Sequence, residues 1–166
     1  MTRTVVRNCM TTKTILTICL LTLMACRRGG DSSSSPCVDM STCADVNCQP
    51  ATNLFKFVLL DEETGEDLVF ANNPLLQPSD ITVSNNAGIE LAVTAYNRSF
   101  GAAHLSVETG KNQVKDTLFL EIQGQRVYTL YPRFCNVSCC TPMAYELRTQ
   151  KGDVKRHSEH IFPLTY

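Results

Sequence analysis

No apolar run in this sequence is long enough to cross a bilayer. The most apolar block, Thr14 to Ala25, covers twelve residues, whereas a spanning helix needs roughly 20 at its rise per residue. Acidic residues are also missing from the start of the chain. None precedes Asp31, while Arg3, Arg7 and Lys13 supply positive charge. A cationic start followed by a short apolar block is the pattern of a secretory signal, whose apolar region is roughly 7–15 residues. Residues 1–25 are therefore expected to be a leader. Met10, followed by Lys13, opens a complete signal by itself and is the expected start.

Other absences bound the chemistry. No G-x-S-x-G, H-E-x-x-H or Gly-rich phosphate loop occurs, so no signature of nucleophilic, zinc-hydrolase or nucleotide chemistry is present. The C-x₂-C spacing of zinc sites and of thioredoxin-like enzymes is missing too. Removing the leader takes away three of the fifteen Lys and Arg and leaves all sixteen Asp and Glu. A mature chain of about −4 has no electrostatic footprint for nucleic acid. The expectation is a non-enzymatic protein with no cofactor.

The leader ends in Leu23-Met24-Ala25-Cys26. This stretch resembles the lipobox of bacterial lipoproteins: a branched apolar residue, a tolerant position, a small residue and a cysteine. The resemblance implies cleavage before Cys26 and acylation of its sulfur, with a diacylglyceryl group and further fatty chains such as palmitate. One fatty chain holds a protein to a membrane marginally, whereas two or more hold it stably. The resemblance also implies that an aspartate after the cysteine favours retention in the inner membrane; Arg27 stands there instead, so an outer-membrane location is expected. Residues 26–36, "CRRGGDSSSSP", have no apolar run and read as anchor and flexible linker.

Cys37, Cys43 and Cys48 follow the linker, and Cys135, Cys139 and Cys140 lie near the end. An even number of cysteines in an exported chain reads as a disulfide framework. Cys139 and Cys140 are neighbours and are expected to pair elsewhere. The simplest arrangement joins the first cluster to the second, tethering the Cys-containing segment 37–50 to the loop around Asn136–Thr141. The alternative is thiol-based metal-binding or redox chemistry through Cys135, Cys139 and Cys140, because thiolates bind zinc or Cu(I).

From Ala51 onward the apolar residues recur with period two, the mark of half-buried strands. Ile89, Leu91, Val93 and Ala95 share one face of "IELAVTAY". Leu105 and Val107 alternate with His104, Ser106 and Glu108. Leu118, Leu120 and Ile122 form a third such set, and Met143, Tyr145 and Leu147 a fourth. Turn residues interrupt these runs at "EETGED", "NNAG", "QGQ" and "KGD", and "DTLFLEIQGQRVYTLYP" reads as a hairpin turning near Gly124. No comparable helical stripe follows the leader. Seven to nine short strands at this spacing predict an all-β domain over residues 51–166, an antiparallel β-sandwich of immunoglobulin-like or transthyretin-like type.

Few side chains suggest a site. His104 falls on the polar face of its strand and is expected at the surface. His157 and His160 are three apart, a spacing that needs a helix to converge on a metal. "DEETGED" (Asp61–Asp67) concentrates carboxylates without the ordered spacing of a calcium loop, so it reads as a solvated turn. Asn97 and Asn136 fit glycosylation sequons, coincidental beside a bacterial lipobox. "TLYPRF" (Thr129–Phe134) is aromatic, with Tyr131 and Phe134 expected in the core. The whole resembles small envelope lipoproteins of Gram-negative bacteria. That likeness implies a binding or structural role at the outer membrane, with an envelope protein or a glycan as partner.

Overall fold

A computed structural model describes residues 37–48, 51–97, 101–111 and 114–166, all within the compact unit Ser35–Tyr166. The expected leader, the expected lipobox with Cys26 and the expected linker lie outside the described residues. No helix among the described residues is long and apolar enough to cross a membrane. The described elements are ten strands and three short 3-10 turns.

The strands are β1 (Thr52–Leu60), β2 (Ile81–Asn85), β3 (Glu90–Leu91), β4 (Val93–Tyr96), β5 (His104–Lys111), β6 (Leu118–Ile122), β7 (Gln125–Ser138), β8 (Thr141–Thr149), β9 (Gly152–Val154) and β10 (Ile161–Thr165). They form one hydrogen-bonded sheet in the order β3-β2-β6-β7-β8-β1-β5-β4, with β10 beside β1 and β9 beside β8. The path begins on β3 and ends on β4, which are separated in sequence by Ala92 alone. Two ends of a sheet that are one residue apart force it to curl back on itself. The domain is accordingly a nearly closed, barrel-like sheet.

The all-β expectation holds, and the sheet is mixed. Most neighbours are antiparallel, but β1 runs parallel to β10 over Lys56–Leu60 and meets β8 in parallel at Leu54–Met143. Parallel neighbours need long connections, and here nearly the whole domain separates β1 from β10. A single path that curls onto itself does not define an immunoglobulin-like or transthyretin-like order. The expected strand "IELAVTAY" is in fact two strands broken at Ala92, and Ile89 at its start is exposed.

Alternation fills the interior. Phe55, Phe57 and Leu59 of β1 point inward with Leu105 and Val107 of β5, and none is exposed to solvent. Leu118, Leu120 and Ile122 of β6 and Leu130 of β7 are equally buried. Phe162 of β10 stacks on Phe55, ring centroids 6.0 Å apart, and Phe55 on Phe57 at 5.3 Å. Full burial of each such side chain contributes about 1.5–3 kcal/mol. The hairpin between β6 and β7 turns at Gln123 and Gly124, with φ of 51° and 78°. Both central residues left-handed is the geometry that matches strand twist.

One alternation fails for a local reason. Arg133 pairs with Glu146 and Phe134 with Ala144, so Tyr145 is an extra residue in β8. Such a bulge shifts the inward face by one position. Met143, Ala144 and Leu147 are buried, and Tyr145 is only half-buried.

Candidate functional site

The N-terminal segment attaches at one end of the barrel. Disulfides join Cys37 to Cys135, Cys43 to Cys139 and Cys48 to Cys140. The two clusters thus pair in order, and Cys139 and Cys140 take different partners. Asp39 starts a 3-10 turn over Met40–Cys43, its Oδ1 accepting from the Ser41 amide at 2.9 Å. That hydrogen bond holds the Asp39 carboxyl below its usual range. The Val38 amide donates to the Asn136 carbonyl at 2.8 Å, and Asn136 Nδ2 lies 2.8 Å from Met40 Sδ. A cavity of about 610 Å³ lies between the segment and the barrel, lined by Cys43, Cys48, Cys135, Cys139, Cys140 and the buried Asn53. With every described cysteine in a disulfide, Cys135, Cys139 and Cys140 present no thiolate here. Ligating a metal would require their reduction first.

A second depression, of about 740 Å³, lies on the outer face of β7, β8 and β9, beside the Val114–Thr117 segment that precedes β6. Tyr131 of β7 is opposite Arg148 of β8, which is opposite Asp153 of β9. Two residues along, Lys115 bridges to Arg133, which is opposite Glu146. The cross-strand charges pair: Arg133 Nη1 to Glu146 Oε2 at 2.7 Å and Arg148 Nε to Asp153 Oδ1 at 2.9 Å. Arg133 also lies over the Tyr145 ring, 5.5 Å from its centroid. Asp116 turns its Oδ1 to the Thr117 amide at 2.7 Å. Tyr131 is 41% exposed in this depression.

Tyr131 is therefore not a core residue, unlike Phe134, which is buried. His104 is also corrected: it is 8% exposed, because the Tyr96 ring stacks on it at 5.1 Å and Nδ1 meets the Ala102 carbonyl at 2.8 Å. His157 is exposed, and His160 is half-buried in a turn whose residues Glu159 and His160 both have positive φ. His160 Nδ1 lies 3.0 Å from Arg156 Nη1, and a hydrogen bond also links it to the Ala144 backbone. Burial, then Arg156 and Lys56, push its pKa down against that bond.

The acidic run folds as turns. Asp61 Oδ1 accepts from the Thr64 amide and hydroxyl and the Glu63 amide, which holds its carboxyl below the usual range. Asp67 Oδ1 accepts from the amides of Val69 and Phe70. Among the described residues, no three His, Cys, Asp or Glu side chains converge as a metal site. Sequence reasoning missed the outer-face ion pairs. Their residues occupy outward strand positions in "YPRF" and "YELR", but which ones face each other depends on strand register. No protein-family model matches this chain, and no curated protein or solved structure matches it either.

Proposed function

We propose that this protein is a non-enzymatic lipoprotein of the bacterial envelope, lipidated at Cys26 and held at the outer membrane. Its disulfide-stapled β-domain serves a binding or structural role there. The observation that carries this reading is the set of three bridges between the segment after the linker and the barrel end. Bridges of this kind persist in oxidising compartments outside the cytosol, which agrees with a leader ending in a lipobox. The Gly- and Ser-rich composition of residues 26–36 suits a spacer between the membrane surface and the domain. Loops and outward side chains on a rigid scaffold are the usual carriers of recognition, and the depression around Tyr131 offers such a surface. No specific observation favours thiol-based metal or redox chemistry.

Intact mass of the detergent-extracted protein tests the reading, with alkylation before and after reduction. The expected result is loss of residues 1–25, added acyl mass at Cys26 and six alkylations that require reduction. An unlipidated chain would remove the anchor. Thiols alkylated before reduction would bring the redox alternative forward.

A further inference from the structure

We propose that the outer-face depression around Tyr131 binds a short, neutral oligosaccharide. The inference rests on the binding role proposed above and names the ligand class. Three properties of the surface point to it.

The first is charge compensation. Arg133 is paired with Glu146, and Arg148 with Asp153. Lys115 and Asp116 add one charge of each sign. A compensated surface attracts neither polyanions nor polycations over distance, yet it is dense in donors and acceptors. Ion pairing also directs each guanidinium along the sheet beside a carboxylate, so donors and acceptors alternate across the surface. Hydroxyl groups of an uncharged sugar accept from guanidinium nitrogens and donate to carboxylate oxygens.

The second property is a single exposed aromatic ring among those polar groups. Tyr131 sits in the row with Arg148 and Asp153. A rigid ring with a polar tip offers a large apolar contact at low entropy cost. Sugar rings have one face of C–H bonds and a rim of hydroxyls, so a tyrosine flanked by fixed polar groups complements both.

The third property disfavours an extended peptide. Tyr131–Phe134 pairs with β8 on one side, and on the other the Asp116 amide donates to the Pro132 carbonyl and the Phe134 amide to the Val114 carbonyl. Along Tyr131–Phe134 both edges are taken among the described residues, so a peptide cannot add a strand beside the tyrosine, since strand addition requires a free edge. A ligand must engage side chains. Cross-strand rows about 7 Å apart on strands about 4.8 Å apart give a platform the size of a few sugar rings.

The test uses the full mature chain with its disulfides intact. The probes are uncharged di- and trisaccharides of glucose, galactose, mannose and N-acetylglucosamine, with uronic-acid oligomers as the charged counterpart. Saturation-transfer NMR is expected to show transfer to sugar ring C–H protons for at least one neutral probe. Tyr131→Ala should weaken that binding about tenfold or more, and Tyr131→Phe should keep most of it. Arg148→Met should weaken it several-fold at an unchanged unfolding midpoint. Raising salt from about 0.1 to 0.5 M, which shortens electrostatic reach, should leave affinity within about twofold. No transfer to any neutral probe, binding indifferent to Tyr131→Ala, or binding confined to uronic acids and lost in salt would each overturn the proposal. A lipidated chain that fails these tests sinks the sugar inference alone. An unlipidated chain that passes them sinks the anchor alone.

Discussion

Within Cys37–Cys48 a single residue, Cys43, is buried, and that cysteine is itself in a bridge. In β1, five of nine residues are buried: Asn53, Phe55, Phe57, Val58 and Leu59. The barrel holds its shape by removing apolar surface from water, and its residues contact one another through the interior. The N-terminal segment has too little apolar surface to repay the ordering of its backbone, which costs about 1–2 kcal/mol per residue. Covalent bonds to the end of β7 and to the β7–β8 turn hold it instead. The lesson is that the number of bridges follows the shortage of burial, and the bridges gather where the core ends.

The sharpest way to break that contrast is to damage the core with all bridges intact. Phe57→Ala should lower stability by about 3–5 kcal/mol, read as a lower denaturant midpoint in oxidised protein. If the three disulfides held the barrel itself, the loss would be far smaller.

Removing one bridge should do less. Cys37→Ser with Cys135→Ser leaves two bridges that still close loops with separations of 96 and 92 residues. The lost constraint then concerns only the short stretch around Cys37, a cost of about 1–3 kcal/mol. Limited proteolysis should cut first within residues 37–43 of this variant, and the barrel should unfold as one cooperative unit. Cleavage inside β1 at the same protease concentration would show that segment and core are not separable.

A backbone change at a barrel turn, away from the bridges and the interior, sets the scale. Gly124→Ala forces a side chain into φ of 78° at the β6–β7 turn, with open space around it. A loss of about 1 kcal/mol is expected from the left-handed penalty alone. A much larger loss would mean that the hairpin, and not only the interior, governs stability.

The smallest effect concerns His160, on the turn preceding β10. Its pKa is lowered in the folded protein by burial, Arg156 and Lys56, so the unfolded chain takes up its proton first as pH falls. Stability from this group is complete above the ordinary histidine value of about 6.5 and declines as pH drops below it. Denaturation midpoints between about pH 7.5 and 5 should fall slightly for the native chain and less for His160→Gln. An opposite slope would mean that protonated His160 has a favourable partner. The Asp61 and Asp39 carboxyls, both held low by amide donors, lose their contributions only below about pH 4.

Much of the barrel was legible beforehand because strand alternation is local. Leu118, Leu120 and Ile122 are inward as their spacing requires, and the Gly124 turn falls where its residue types put it. His104 was misread because alternation assigns a face without saying what covers it, and Tyr96 arrives from a neighbouring strand. Tyr145 was misplaced because a bulge is a property of two paired strands, invisible in either alone. The outer-face groove was illegible for the same reason: Arg148 and Asp153 are neighbours only in one register.

Local composition by itself determined that this chain is a β-domain with cysteine clusters positioned to tie its start to its end. Period-two burial and turn chemistry act over a few residues, so they can be read one stretch at a time. Tertiary structure alone decided that the sheet curls at Ala92, that β10 runs parallel beside β1, and that the cysteines pair in order. Each of those choices joins residues distant in sequence, and their energies depend on which partners the other strands leave available.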